Sequence, residues 1–304
     1  MYHYVRPYNE NMPHLKKLDI ADFIEQLNFF ESEFGIISEE DFLKSMDTGI
    51  PADGVVLTFD DALKCHYDYV YPELKKRNLW GIFYVPTQMY IENKLLDVHR
   101  IHLLLAMVNS EVIYKELLTL VTENMLPDSV KLEFKTLTYT NQINDNATNL
   151  VKRILNYYIS YGYRNEVINK LMATFIPNEV QEVNSFYITK EEIAEMESNG
   201  MTIGSHTVSH PVLSKIDRKS QAVEIIESFQ FLGEVCNRFP YKTFCYPYGG
   251  FHSFTAETEQ ILMDYDCKFS FNVENRDIQK EDLTMRKQAL PRYDCNQFKH
   301  GQIR

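Results

Sequence analysis

The residues best suited to chemistry are two adjacent carboxylates, Asp60 and Asp61, and two histidines far downstream, His206 and His210. Two imidazoles and one carboxylate form the ligand set of a catalytic zinc-type site, in which one coordination position stays open for water. The second carboxylate is then free to act as a base. The residue types therefore indicate a metal-dependent hydrolytic site.

Each of these clusters follows a short apolar run, Val55–Phe59 in the first case and Met201–Gly204 in the second. Such a pattern is expected where a buried strand delivers polar groups to an open rim. Strand, helix and strand follow one another within residues 55–85, which is typical of a parallel βαβ unit. Because the chemistry of such folds gathers at the carboxyl ends of the strands, the sequence places the site at that edge.

The spacing within each cluster limits how its members share a metal. His206 and His210 are four residues apart, so on a helical turn both rings would emerge on one face. Position 207 is Thr, so the base of an H-E-x-x-H metalloprotease is absent. Adjacent side chains diverge on a strand, so we expect one of Asp60 and Asp61 to bind metal and the other to reach the water.

Three segments taken together resemble the polysaccharide deacetylases, the NodB-like enzymes of carbohydrate esterase family 4. They are Thr58-Phe59-Asp60-Asp61, Ser205-His206-Thr207-Val208-Ser209-His210 and Tyr246-Pro247-Tyr248-Gly249. The order of motifs and predicted elements resembles that of the family over residues 1–90 and 187–295. The resemblance implies a distorted (β/α)7-type barrel, a divalent metal that is usually Zn²⁺, and hydrolysis of an N-acetyl or related acyl group of a sugar.

Carried over position by position, the resemblance assigns a role to each residue of the motifs. Asp60 would be the base that activates water, and Thr207 would brace its loop by hydrogen bonding. The backbone N–H of Tyr248 would help to bind the oxyanion. The metal ligands would be Asp61, His206 and His210.

Two positions depart from the family pattern. Many members have an Arg two residues before the Pro of the third motif, where this chain has Cys245. We expect Arg292 to supply that guanidinium from a neighbouring strand end, because its planar fork suits a carboxylate. The late Leu-x-x-His that usually provides the general acid is also missing, which leaves five candidates: His3, His99, His102, His252 and His300.

Residues 90–186 interrupt the alternation of strands and helices. Helical periodicity is present at Leu95–Val108, Val112–Val121 and Leu150–Tyr158, and strand-like runs are few. We therefore predict a single domain, residues 1–304, with a mostly helical insertion at residues 90–186 on the barrel rim. There it would cover the cleft and narrow the choice of substrate.

The rest of the chain gives about seven or eight predicted strands and several capped helices. Asp19 is the expected cap of a helix from Ile20 to Phe34, and Thr189 with Glu192 fits a capping box. A long amphipathic helix is predicted from Arg218 to about Cys236. Predicted strands outside the motif segments are Tyr2–Val5, Gly35–Ser38, Leu79–Val85, Lys268–Val273 and Ala289–Arg292.

Composition excludes several classes of protein. With 304 residues and 44% hydrophobic content, the chain can bury a core and is not disordered. A net charge of −12 argues against sequence-independent nucleic-acid binding.

No segment is predicted to span a membrane and the start lacks the pattern of a secretory signal, so we expect a cytoplasmic protein. Five cysteines without a C-x-x-C pair are expected to be reduced core thiols.

Three functions are consistent with these observations. The first is deacetylation of an amino sugar during assembly of a surface glycan, where the substrate is free, nucleotide- or lipid-linked, or part of a glycan. The second is deacylation of a small non-sugar amide on the same scaffold. The third is a catalytically inactive carbohydrate-binding module, suggested by the two departures from the family pattern. The sequence identifies neither the sugar nor the oligomeric state.

Overall fold

The computed structural model describes residues 1–139 and 144–303, which form two compact units. The first unit consists of Met1–Pro7, Lys17–Glu92 and Ser185–Arg304, and the second of Tyr8–Lys16 and Asn93–Asn184. Most of the predicted insertion, residues 90–186, belongs to the second unit, and its residues 140–143 lie outside the described residues. The division into one domain with an insertion on its rim stays a prediction.

A parallel sheet forms the centre of the first unit. Its strands are β1 (Thr58–Asp60), β2 (Ile82–Val85), β3 (Thr202–Ser205), β4 (Lys242–Cys245) and β5 (Cys267–Phe271). They lie side by side in chain order, and each pairs with the next in parallel. The predicted α/β fold with a parallel sheet is therefore confirmed, and the carboxyl ends of the strands meet at one edge.

Helices make up most of the remaining structure. In chain order they are α1 (Ile20–Glu33), α2 (Glu39–Thr48), α3 (Tyr71–Arg77), α4 (Gln88–Glu92), α5 (Asp97–Met107), α6 (Ser110–Leu120), α7 (Asp128–Phe134), α8 (Asn146–Arg153), α9 (Tyr161–Phe175), α10 (Glu179–Phe186), α11 (Lys190–Ser198), α12 (Arg218–Val235), α13 (Ala256–Asp264) and α14 (Lys280–Met285). Single π-helical turns span His66–Val70 and Ile154–Tyr158. Short 3₁₀ turns span Glu123–Met125, Leu213–Lys215, Lys287–Ala289 and Cys295–Gln297. Among the residues described, no helix is both long and apolar enough to cross a bilayer.

The predicted helix caps are present. The side chain of Asp19 accepts a hydrogen bond from the N–H of Ala21 at the start of α1. Thr189 and Glu192 bond reciprocally at the start of α11, which is the expected capping box. These caps fix where each helix begins, and α11 leads into β3 after only three residues.

The strand count is lower than predicted. Within the part of the chain that the structure describes, three predicted strands are reduced to isolated bridges: Tyr2 with Phe59, Ile36 with Val55, and Leu290 with Phe271. One cause at the last position is Pro291, which has no N–H to extend a ladder. The bridges of Tyr2 and Leu290 continue the pairing beyond the two edge strands, β1 and β5. The closed (β/α)7-type barrel stays a prediction.

Both faces of the sheet are buried against apolar side chains. One cluster combines Phe42 and Met46 of α2 with strand residues that include Tyr84, Cys245 and Phe271. A second cluster packs helices α12 and α13 against the opposite face of β4 and β5. A sheet covered in this way exposes polar groups only at its edges, where the candidate site lies.

The second unit is helical and holds a buried charge network. Asp97 on α5 receives one hydrogen bond from Arg100 and one from Arg164, each 3.1 Å long. Both arginines are nearly inaccessible. Because a buried charge is costly without a partner, this network fixes α5 against α9.

A glycine allows Tyr84 to cross the sheet. The Tyr84 hydroxyl lies 2.8 Å from the Thr243 hydroxyl of β4, and its ring passes over Gly204 of the intervening strand β3. A Cβ atom at Gly204 would lie 2.4 Å from Tyr84 Cε1.

We expect Gly204→Ala to lower the free energy of unfolding by about 1–3 kcal/mol, measured in urea. Gly233→Ala is the matched control, because a Cβ atom there meets open space in α12. It should stabilise the protein by about 0.5–1 kcal/mol, and equal effects of the two changes would contradict this account.

Candidate metal centre and active site

The two adjacent carboxylates point to different partners. Asp60 is the last residue of β1, whereas Asp61 has φ 82°, a left-handed conformation that Asp tolerates better than most residues. Both side chains are nearly inaccessible to solvent. The change in backbone conformation directs Asp60 to Arg292 and Asp61 to the two histidines.

The histidines follow β3 on a loop. Thr207 has φ 68° and His210 has φ 57°, so His206 and His210 do not lie on a helical turn. The loop is held internally because the N–H of His210 donates to Thr207 Oγ1 at 3.0 Å, which is the bracing bond expected of Thr207. The two left-handed residues turn both rings toward Asp61, with ring centroids 4.8 Å apart.

The three predicted ligands converge on one point. Asp61 Oδ1 lies 3.5 Å from His206 Nε2 and 3.4 Å from His210 Nε2. Donors placed about 2.1 Å from a tetrahedral ion are separated by about 3.4 Å, so this spacing fits a zinc-type ion. All three side chains are buried. The donor types and their spacing therefore match a site with three protein ligands.

The backbone of β4 orients His206. The Nδ1–H of His206 donates to the carbonyl oxygen of Cys245 at 2.7 Å, which leaves Nε2 on the side that faces Asp61. Histidines that bind metals commonly donate their second nitrogen to such an acceptor, which fixes the ring. This bond is a feature of a metal site, and it supports the fit of the three ligands.

A second group, Asp60, His206 and Cys245, also lies close enough to hold a metal. Arg292 already occupies that group, because its Nη2 contacts both Asp60 Oδ2 at 2.7 Å and Cys245 Sγ at 2.9 Å. A cation beside a buried guanidinium would be repelled. The set of Asp61, His206 and His210 is therefore the better metal site.

Arg292 forms a buried fork with Asp60. The Nη1 atom donates to Asp60 Oδ1 at 2.8 Å and Nη2 donates to Oδ2 at 2.7 Å, while Nη1 also reaches Thr58 Oγ1 at 3.1 Å. Burial acts to raise the pKa of Asp60, but the charge and hydrogen bonds of Arg292, together with the charges of His206 and His3, outweigh it and hold that pKa well below its usual range. Asp60 is thus kept ionised, as a general base must be.

Tyr248 lies beside the histidines. Its ring centroid is 4.9 Å from that of His210, and its φ of 66° begins a run of three left-handed residues that continues through Gly249 and Gly250. A side chain at Gly249 would collide with Val273, so glycine is required there. The third motif thus forms a tight turn against the candidate metal centre.

Among the five candidate histidines for the general acid, His3 lies at the site. Its Nε2 is 4.0 Å from Asp60 Oδ2 and 3.9 Å from Asp61 Oδ2, and its side chain is 37% exposed. His99 and His102 belong to the second unit, with ring centroids 5.9 Å apart. His252 lies in the loop after β4, and His300 is exposed near the end of the chain.

Comparison with known proteins agrees with this geometry. Residues 167–270, roughly a third of the chain, match the family model of polysaccharide deacetylases. This range includes the histidine loop and the Tyr246–Gly249 motif, whereas Asp60 and Asp61 lie outside it. The resemblance to the polysaccharide deacetylases is confirmed. No match is found among curated proteins.

Solved structures of deacetylases share the fold at low sequence identity. The Streptococcus pyogenes deacetylase PplD, in complex with acetate, aligns over 96% of this chain and 88% of its own, with a TM-score of 0.56 and 17% identity. IcaB from Ammonifex degensii aligns over 89% and 81%, with a TM-score of 0.52 and 17% identity. The deacetylase domain of BpsB from Bordetella bronchiseptica aligns over 96% and 93%, with a TM-score of 0.51 and 13% identity.

Two residues around the deacetylase motifs were not predicted from the sequence. The carboxylate of Glu224 on α12 accepts hydrogen bonds from the loop between the histidines. His66, fully buried, lies 2.7 Å through its Nε2 from the carbonyl oxygen of His3, and burial lowers its pKa to about 4. A helical carboxylate and an isolated histidine carry no sequence signal of their own. The π-helical turn that begins at His66 is a structural signal, since such turns are frequent at functional sites.

The buried fork predicts a large effect of Arg292→Met. Removing one partner of a buried ion pair should cost about 3–5 kcal/mol, because Asp60 keeps its charge without its main partner. Without Arg292 the pKa of Asp60 in the folded state should rise, so the deficit relative to the wild-type protein should grow as pH rises through the acid range and level off above the new pKa. Urea unfolding of both proteins at several pH values measures this difference in the free energy of unfolding.

The double variant Asp60→Asn with Arg292→Met is the control for that change. It removes the unpaired charge, so part of the lost stability should return. A double variant no more stable than Arg292→Met alone would show that the ion pair is not the cause.

Proposed function

We propose that this protein is a metal-dependent deacetylase that hydrolyses the N-acetyl, or a similar acyl, group of an amino sugar. The observation that carries the proposal is the convergence of Asp61, His206 and His210, with donor atoms 3.4 to 3.5 Å apart, beside an ionised Asp60. The family match and the shared fold of the deacetylase structures support it.

In this proposal a divalent cation, most simply Zn²⁺, is held by Asp61, His206 and His210, where it would polarise the acyl carbonyl and acidify water. Asp60 accepts the proton of the attacking water. It is suited to this role because Arg292 engages both of its oxygens and keeps the carboxylate in one orientation. Its neighbour Asp61 stays available to the cation, so the two carboxylates have separate tasks.

The leaving amine needs a proton, and we assign this step to His3. A general acid must reach the departing nitrogen while remaining in contact with the site. His3 meets both requirements, since its ring lies about 4 Å from both carboxylates and is partly open to solvent. His66 positions it by contacting its backbone carbonyl oxygen.

The turn at Tyr248 is assigned to binding of the oxyanion. Its ring contacts His210, one of the proposed cation ligands, which supports this assignment. A backbone N–H held in a rigid turn stabilises developing negative charge without needing to reorganise. This role deepens the assignment implied by the third motif.

The inactive-module alternative depended on the missing Arg and the missing general acid. Arg292 now lies against Asp60, and His3 lies between the carboxylates and solvent. The guanidinium of Arg292 and the imidazole of His3 can fill the two roles that these departures left open, which favours an enzyme. A precursor of a surface polysaccharide is the substrate that we propose, and a cytoplasmic location is part of that proposal.

Metal content and acetate release test the proposal together. The wild-type protein should retain about one zinc-type ion and release acetate from at least one member of a panel of N-acetyl sugars, their nucleotides and short glycans. Asp60→Asn should keep the metal and lose almost all activity, whereas His206→Ala should lose the metal as well. Wild-type protein without metal or acetate release would contradict the proposal.

The role of His3 can be tested separately. His3→Gln should lower kcat by about 10²- to 10⁴-fold, the usual contribution of a general acid, without loss of metal. His300→Gln is the matched control, because His300 is exposed and should not affect kcat. If both variants keep wild-type kcat, another group protonates the amine.

A further inference from the structure

The loop that carries both histidines is conformationally strained. Thr207, with φ 68°, is a β-branched residue in the left-handed region, and His210 adopts φ 57°. Such conformations persist only where the surrounding structure fixes them more strongly than the residues themselves would choose. The positions of His206 and His210 therefore depend on groups that hold the loop between them, and in particular Val208 and Ser209.

One carboxylate holds these two residues. Glu224 Oε2 accepts from the backbone N–H of Val208 at 2.9 Å and from that of Ser209 at 2.8 Å. Glu224 Oε1 accepts from the Ser209 hydroxyl at 2.5 Å. Hydrogen bonds to an ionised acceptor are shorter and stronger than neutral ones, so a single side chain fixes consecutive peptide groups.

The opposite side of the loop is fixed by the backbone. The carbonyl oxygen of Val208 accepts from the N–H groups of Thr87 and Gln88, at 3.2 and 2.9 Å. Val208 is thus held between the start of α4 and the middle of α12. These bonds together clamp Val208 and Ser209, and Glu224 is the acceptor side chain among the groups that form them. The three bonds to Glu224 come from Val208 and Ser209, and not from a histidine ring.

We propose that Glu224 is a positioning residue of the metal centre. By fixing Val208 and Ser209, it holds His206 Nε2 and His210 Nε2 at 3.5 and 3.4 Å from Asp61 Oδ1. Glu224 thereby lowers the free-energy cost of ordering the ligand side chains when the cation binds. This inference rests on the proposed function, because it concerns the same ion, but it assigns a role to a residue outside the family motifs.

The test measures metal affinity in the absence of substrate. Co²⁺ alone is titrated into the metal-free full-length protein, and binding is followed by its visible absorption bands and by competition with a chelator. Glu224→Gln keeps the side-chain shape but replaces one acceptor oxygen by a donor. We expect the affinity for Co²⁺ to fall about 10- to 100-fold, the usual effect of changing a group that orients a metal ligand.

Glu227→Gln is the matched control, because Glu227 is an exposed residue one turn further along α12. It should bind Co²⁺ like the wild-type protein. Thermal unfolding of the metal-free proteins separates a local effect from misfolding. Wild-type affinity in a folded Glu224→Gln variant overturns the inference.

A milder variant decides the question if Glu224→Gln does not fold. Ser209→Ala removes the hydroxyl bond alone and leaves both backbone bonds, so the affinity should fall several-fold, with altered Co²⁺ bands. An unchanged affinity and spectrum would overturn the inference. A wild-type protein that binds no Co²⁺ would instead contradict the proposed function itself, before any variant is compared.

Discussion

The buried ion pair between Asp60 and Arg292 is the constraint on which the site depends. It joins the end of β1 to a segment near the end of the chain, 232 residues away in sequence, through two short hydrogen bonds. Two neighbouring carboxylates at a buried position would repel each other strongly unless each had its own partner. Arg292 neutralises Asp60, which leaves the Asp61 carboxylate to face His206 and His210. The fold thereby keeps both aspartates at the rim of the same strand.

A single change of backbone conformation separates the tasks of the two aspartates. Along a regular strand, Asp60 and Asp61 would point to opposite faces. The left-handed φ of Asp61 ends the strand and turns this side chain toward His206 and His210, while Asp60 stays in the strand register with Tyr84. The same device recurs at Thr207, His210 and Tyr248. The residues of the site are therefore placed by strained turns that follow regular strands, so that rigid elements support loops of unusual geometry.

How much of the fold and of the candidate site could be predicted from the sequence depended on the type of physical signal. Apolar runs that end in charged residues predicted the convergence of Asp60, Asp61 and the histidine loop, because parallel strands share one carboxyl edge. The H-x-x-x-H spacing could not decide the local conformation, since the same spacing suits a helical turn and a loop with left-handed residues. Short edge segments looked like strands but make single bridges, because periodicity over four residues does not show whether a ladder extends. Glu224 had no signal, as two of its three hydrogen bonds come from backbone N–H groups, which nearly every residue type possesses, and the third comes from the Ser209 hydroxyl.

The position of Cys245 shows why a guanidinium can be supplied from another segment. The Cys245 side chain lies at the carboxyl end of β4, where its sulfur is 2.9 Å from Arg292 Nη2 and 3.6 Å from Asp60 Oδ2. A longer side chain at position 245 would occupy the space that the fork of Arg292 fills. A small residue there is thus a condition for the Arg292 arrangement. The Asp60 carboxylate receives its planar donor from the segment after the Leu290 bridge, and not from position 245. The departure from the family pattern is for this reason a rearrangement of the same interaction.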